Sequence, residues 1–253
     1  MDSRLTVVDV TGSTNDDLLE AGKQGAPHGT GLAARAQTAG RGRRGHKWDS
    51  TAGNLLLSIV LRPCVNPAKY SGLAAVSGLA VLEALEMQGL ANEIDLKWPN
   101  DLVLSGRKVC GILAEALPGP EGSLWVVVGI GINVCQRRED FLPELRETAA
   151  SLSMIAGAEI DRAALETAFL EELEALRREL PQETAERRQE YGAACLNLGH
   201  RVRVLRPGGE REALAVSLTP DYGLAVRYDD GTEEVLRSGE VSVRGLYGYT
   251  DKE

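Results

Sequence analysis

Hydrophobic and polar positions follow three regimes along the chain. Up to about residue 135, short apolar runs alternate with turn chemistry. The segment "STNDDLLEAGKQG" predicts a short helix capped by Ser13 or Thr14, with Asp16 and Asp17 at its positive end and Gly25 stopping it. "GTGLAARAQ" predicts a strand, and "GNLLLSIVLRP" a buried strand ending at Pro63. Small and aliphatic residues from Ala68 to Gln88 predict a mostly buried helix. "EIDLKWP" reads as a strand, "NDLVLSGRKVCGILAEAL" as a hairpin turning at Ser105-Gly106, and "LWVVVGIGINV" as an apolar strand. After Cys135 the spacing becomes helical: Leu165, Phe169, Leu173, Leu176 and Leu180 form one stripe, with Asp161 as N-cap and Pro181 closing it. From about Gly199, "RVRVL", "EALAVSL", "GLAVRY", "TEEVL" and "VSVRG" are strand candidates separated by Gly/Pro/Asp turns, which suggests a small β-barrel. The predicted organisation is a mixed α/β (α+β) domain over 1–195 followed by an all-β domain over 196–253.

Composition narrows the class. With 253 residues, 43% hydrophobic and 26% charged, the chain can bury an ordinary globular core. A formal net charge of -9 argues against a general nucleic-acid binder. The four cysteines (Cys64, Cys110, Cys135, Cys195) lack CxxC spacing and the three histidines are scattered, so no zinc site is indicated. Reduced thiols, no secretion signal in "MDSRLTVVDV" and no bilayer-length apolar run point to a cytoplasmic protein without a membrane partner.

Against that acidic background, "QTAGRGRRGHKW" (Gln37 to Trp48) concentrates Arg41, Arg43, Arg44 and Lys47 among glycines. Gly40 to Gly45 satisfies GxGxxG, but "HKWDSTAGN" is a poor helix and no acid occurs between Asp49 and Glu83, so a dinucleotide fold fails. A P-loop fails because His46 and Lys47 stand where Lys and Ser/Thr are needed. An RGG-like nucleic-acid contact with Trp48 stacking on a base conflicts with the acidic remainder. A flexible lid that orders over a small anion fits best, ahead of a merely solvated loop. Three further clusters stand out: "KWPND" (Lys97 to Asp101), "GRKVCGILAE" with Lys108 and Gly111, and "GIGINV". In the last, Gly129, Gly131 and Asn133 share a strand face, so the glycines leave a slot for something flat or pack against a helix.

With "STN" (Ser13 to Asn15) in front of them, these clusters in this order resemble biotin protein ligase, biotin–[acetyl-CoA-carboxylase] ligase, from Ser13 to about Asn133. The resemblance implies a catalytic domain related to class II aminoacyl-tRNA synthetases with a mixed sheet, and a C-terminal SH3-like barrel. It implies a two-step reaction: ATP, with Mg²⁺, and biotin give biotinoyl-5′-AMP, and a lysine of a biotin carboxyl carrier protein then takes the biotin. By the same resemblance, Ser13, Thr14, Asn15, Gln37, Arg41, Gly42, Arg43 and Lys108 bind biotin. Arg41, Arg43, Trp48, Asn100, Gly129, Gly131 and Asn133 bind the ATP or adenylate side. Lys108, Arg43 and Asp101 are the catalytic expectation, and Asn100 with Asp101 the expected Mg²⁺ ligands. His46 stands where many members carry Arg, which predicts weaker, more pH-sensitive retention of the adenylate. A dozen residues before Ser13 leave no room for a winged helix-turn-helix, so the expectation is a monofunctional enzyme without sequence-specific DNA binding. A homodimer is allowed for. The alternatives are a lipoate/octanoate ligase or transferase of the same superfamily, and a nucleic-acid-binding module.

Overall fold

The computed structural model describes residues 5–51, 53–62, 72–87, 89, 94–119, 124–179, 185–206, 208–237 and 242–245. Its larger layer is a mixed seven-stranded sheet built from β1 (Leu5–Thr11), β2 (Gly31–Gln37), β3 (Asn54–Leu61), β4 (Ile94–Lys97), β5 (Asp101–Leu104), β6 (Arg107–Pro118) and β7 (Leu124–Asn133). The strand order is β1-β2-β3-β7-β6-β5-β4, with β1–β2 parallel and the other pairs antiparallel. The β5–β6 hairpin turns where expected, with Ser105 and Gly106 at φ 48° and 75°, the left-handed pair that a tight two-residue turn demands.

Strand alternation distributes the faces. On β3, Leu55, Leu57, Ile59 and Leu61 join the large core, together with Val126, Val128, Ile130 and Ile132 of β7. Helix α2 (Leu73–Met87) covers that face and is buried nearly all round, because α4 (Arg162–Glu179) packs on its other side. Gly78 carries no side chain between the helix and Leu96 and Ile112, so α2 approaches the sheet closely. Each fully buried aliphatic side chain here contributes about 1.5–3 kcal/mol. The opposite face holds α1 (Thr14–Lys23), whose Leu18 packs with Leu32, Val60 and Val127. Ser13 caps α1 through its hydroxyl, and Gly25 follows the C-terminus at φ 95°. Two further helices, α3 (Leu152–Ala156) and α5 (Ala185–Ala193), lie in the helical stretch. Asp161 caps α4 by accepting from the amides of Ala163 and Ala164 at 2.9 and 3.1 Å, and Leu165 and Phe169 are buried as the stripe requires. Pro63, Leu180, Pro181 and the expected helix start at Ala68 lie outside the described residues, as do the side chains of Leu173 and Leu176.

The second layer is a five-stranded antiparallel sheet of β8 (Arg201–Arg206), β9 (Gly209–Leu218), β10 (Leu224–Tyr228), β11 (Glu233–Leu236) and β12 (Ser242–Gly245), in the order β11-β10-β9-β8-β12. These are the five strands expected from the turn spacing. Trp98 ties the layers together. Its backbone N–H donates to Asn197 Oδ1 at 2.8 Å, and its indole N–H to the Tyr222 carbonyl at 2.8 Å. Tyr191 and Tyr222 meet edge to face beside it, with centroids 5.6 Å apart. No helix among the described residues is long and apolar enough to cross a membrane.

Candidate active site

The basic glycine segment folds as a small hairpin rather than an open loop. Trp48 N–H donates to the Gly40 carbonyl at 3.0 Å, Gly42 N–H to His46 at 2.7 Å, and Arg41 bridges Lys47. The tip is a single 3-10 turn, Arg43–Gly45, with Arg44 at φ 56° and Gly45 at φ 76°. Arg41 leaves the hairpin to reach Asp16 of α1 and Glu115 of β6, the latter at 2.7 Å. Trp48 lays its indole on the sheet where Gly111 and Gly131 pair across β6 and β7. Of the slot read at Gly129 and Gly131, the Gly131 end is filled by this ring and the Gly129 end by Asn15 of α1, the helix packing that was the other reading of it.

Beneath the hairpin, the first turn of α1 presents a buried polar cluster. Gln37 Oε1 accepts from the Thr14 amide at 2.7 Å and lies 2.9 Å from the Thr14 hydroxyl. Ser58 Oγ, fully buried on β3, lies 2.7 Å from both Thr14 Oγ1 and Asn15 Oδ1. Asn15 turns its amide N–H to Glu115 at 2.9 Å, and a side chain at Gly129 would overlap Asn15 Oδ1. Three oxygen–oxygen contacts share only two hydroxyl protons, those of Ser58 and Thr14. The cluster therefore carries more acceptors than donors.

On the other side of Trp48, Pro99 ends β4 and the chain re-enters the sheet at Asp101. Asn100 is held twice by Ile112: its amide N–H donates to that carbonyl at 2.9 Å, and its carbonyl accepts from that amide at 2.9 Å. Its Oδ1 accepts from Arg43 at 2.7 Å. Burial pushes the Arg43 guanidinium down from its ordinary value; the Asp101 carboxylate opposes that shift and Arg44 adds to it. Arg43 Nη2 is buried with no hydrogen-bond partner. Lys108 Nζ pairs with Asp101 at 2.7 Å and stands 5.5 Å from the Trp48 ring centroid. Its backbone is pinned to the following segment: Lys108 N–H donates to Thr148 at 2.8 Å, and Ala150 N–H returns to Lys108 at 3.0 Å. Asn54 donates to Asn133 at 3.0 Å, and Asn133 donates to Ala150 at 3.2 Å, which fixes the far end.

All of this surrounds one cavity of about 410 Å³. Residues 7–133, half of the chain, match the biotin/lipoate A/B protein ligase family. The chain belongs to that family. Over 94% of its length it is 37% identical to the biotin–[acetyl-CoA-carboxylase] ligase of Mycobacterium tuberculosis, covering 88% of that protein. It is 40% identical to the bifunctional ligase/repressor BirA of Bacillus subtilis over 64% of this chain, and that match spans half the length of BirA. Its fold superposes on a biotin protein ligase from Aquifex aeolicus, solved with biotin and ATP, with TM-score 0.81 and 32% identity over 95% of this chain and 98% of that one.

Within this biotin/lipoate ligase-family fold, Ser13, Thr14, Asn15, Gln37, Arg41, Gly42, Arg43, Trp48, Asn100, Asp101, Lys108, Gly129, Gly131 and Asn133 all line the same cavity. They come from five separate stretches of chain, and the sheet register brings them together. Three features escaped the sequence. Ser58 is hidden in a uniformly buried, mostly aliphatic strand, and Glu115 sits where a solvent-facing strand residue is unremarkable. Phe141, Leu145, Thr148 and Ala149 line the wall beside Lys108, in a segment whose scattered apolar residues follow neither period.

Proposed function

We propose that this chain activates biotin with ATP to biotinoyl-5′-AMP and transfers the biotin to a lysine of a biotin carboxyl carrier protein. The observation that carries the choice of acid is the acceptor-rich cluster that Thr14, Asn15 and Gln37 present to the cavity, backed by Ser58 behind its wall. A ureido ring brings two N–H donors to such a surface. The dithiolane of lipoate and the chain of octanoate bring none, and burying these oxygens against an apolar group costs about 1–3 kcal/mol for each one left unmatched.

In the first step a carboxylate oxygen of biotin attacks the α-phosphorus of ATP, and the bond to the β-phosphate oxygen breaks to release pyrophosphate. Two anions must meet, so fixed positive charge lowers the barrier. Lys108 and Arg43 are among the cations that line the cavity, and their geometry is set beforehand by Asp101 and Asn100. The arginine Nη2 that lacks a partner supplies a donor to an incoming oxygen without breaking an existing bond. In the second step the carrier lysine's neutral amine attacks the acyl carbon, an amide forms, AMP leaves and the amine proton is lost. Asp101, which lines the cavity and pairs with Lys108, is read as the carboxylate that takes that proton, directly or by relaxing that pair. The hairpin closes over the mixed anhydride and keeps water from it.

ATP is expected to act with Mg²⁺, but Asn100 and Asp101 do not fit as its ligands. Asn100 Oδ1 faces a guanidinium and Asp101 an ammonium, and no cluster of three His, Cys, Asp or Glu side chains suited to a metal occurs among the described residues. The seven-stranded layer, with its helices, is read as the class II aminoacyl-tRNA synthetase-like catalytic domain over 1–195. The five-stranded sheet is read as an SH3-like barrel over 196–253.

The test is pyrophosphate release with ATP and biotin, lipoate or octanoate, in the wild type and in Lys108→Ala. Biotin-dependent release that collapses in the variant supports the reading. Release with lipoate or octanoate instead moves the substrate class, and release with none of them removes the ligase reading.

A further inference from the structure

The structure assigns Gly111 and Gly131 as positioning residues: they form a two-glycine seat for the Trp48 indole, and that seat registers the basic hairpin against the strands that carry Lys108. The two glycines are directly paired in the β6–β7 ladder. A Cβ at Gly131 would lie 2.5 to 2.8 Å from three indole atoms, Cε2, Cζ2 and Nε1. One at Gly111 would lie 2.7 Å from Trp48 Cζ3 and 3.1 Å from the end of Lys108. Carbon–carbon contacts prefer about 3.5–4.0 Å, so either methyl drives the ring out by roughly 1 Å. The sheet cannot yield in its place, because both glycines sit in central strands paired on both sides.

What the ring holds explains why its seat matters. Trp48 closes the hairpin through its amide on Gly40, and Gly40 is itself tight, with room for no side chain against the Trp48 carbonyl. The indole is thus the fixed end of a short lever whose tip carries Arg43. At the tip Arg43 meets Asn100, and beside the ring Lys108 stands 5.5 Å from its centroid. Moving the ring moves the hairpin relative to both. The contacts that hold the indole among these residues are steric, and its N–H donates to no protein group.

The inference rests on the proposed reaction for its kinetic consequence but not for the seat. Gly131→Ala and Gly111→Ala are made in the wild type and in Trp48→Ala, with circular dichroism and thermal melting to confirm folding. The first readout needs no turnover: the Trp48 contribution to fluorescence, taken as the difference from Trp48→Phe, becomes at least twofold more quenchable by acrylamide in the glycine variants. The second is kinetic: Gly131→Ala raises KM for ATP about tenfold in the wild type but less than twofold in Trp48→Ala, where the ring is gone. An unchanged quenching constant overturns the seat whatever the enzyme does. Increased quenching with equal kinetic loss in both backgrounds overturns the positioning role. If no acid supports pyrophosphate release, the proposed reaction fails while the quenching result still decides the seat.

Discussion

Ser58→Ala tests whether the polar cluster under α1 recognises the acid. Ser58 is fully buried and stands behind the cavity wall, so it reaches a ligand only through Thr14 and Asn15. Its hydroxyl supplies the proton for Asn15 Oδ1, while the Thr14 hydroxyl serves Gln37, all at 2.7 to 2.9 Å. Removing it leaves the Asn15 oxygen without a donor. A buried acceptor orphaned this way costs about 1–3 kcal/mol. At roughly 2–4 °C per kcal/mol for a chain of this size, the melting temperature falls by about 4–8 °C for a 2 kcal/mol loss. Asn15 then keeps only its amide N–H contacts, to Glu115 at 2.9 Å and to the Leu113 carbonyl at 3.5 Å, so the surface offered to the ureido ring loosens and KM for biotin rises about tenfold, equivalent to about 1.4 kcal/mol. KM for ATP stays within twofold, because none of these groups lies on the Trp48 side. The assay is initial-rate pyrophosphate release with each substrate varied, alongside a thermal melt. A variant with normal stability and normal KM for biotin would falsify the argument, and equal rises in both KM values would show a general loosening instead.

Two other outcomes are expected. Asp101→Asn slows transfer from preformed biotinoyl-5′-AMP to a carrier lysine by about 10²-fold, the lower range for loss of a proton acceptor; transfer at the wild-type rate would remove Asp101 from that role. In the second sheet, the carboxylates of Asp221, Asp229, Asp230 and Glu234 are all held below their ordinary range, chiefly by hydrogen bonds from Thr219, Arg201, Thr232 and Arg206 respectively. A depressed folded-state value stabilises above the unfolded carboxylate range, near pH 4, and that contribution is lost as pH falls below it. The melting temperature should therefore drop between pH 5 and pH 3, and less so in high salt, since Asp229 and Asp230 are exposed and Asp221 and Glu234 only part-buried. A flat profile would show that the pairs contribute nothing.

The sequence was most legible where periodicity and turn chemistry agreed. The buried β3 and β7, the Ser105-Gly106 turn and the five strands of the second sheet stand where their patterns put them. Edge strand β1 was read only for a leader. Its Val7 and Val10 are exposed and its alternation serves no buried face, so burial wrote no signal there. Helix α5 was invisible for a similar reason, since Tyr191 is its one buried side chain among the described residues. Glycine content let the stretch Gly40–Trp48 be read as a lid, but not as a hairpin seated by its tryptophan on glycines more than sixty residues away. The site residues were found through the order of their motifs. Ser58 and Glu115 belonged to no motif and became visible only by contact.

Trp98 gives the second sheet a share in the chemistry it never touches. The residue before Asn100 and Asp101 is Pro99, and the residue before that hangs from Asn197 and Tyr222 by two hydrogen bonds. The second sheet and its approach therefore act as a foundation under the corner that orients Arg43 and Lys108. Trimming or exchanging them also resets the bearing surface of that corner. An engineer who grafts a different C-terminal module onto this chain inherits a constraint at Trp98: the new module must present a side-chain acceptor and a backbone carbonyl at those two points, or the corner before Asn100 and Asp101 loses both of its supports.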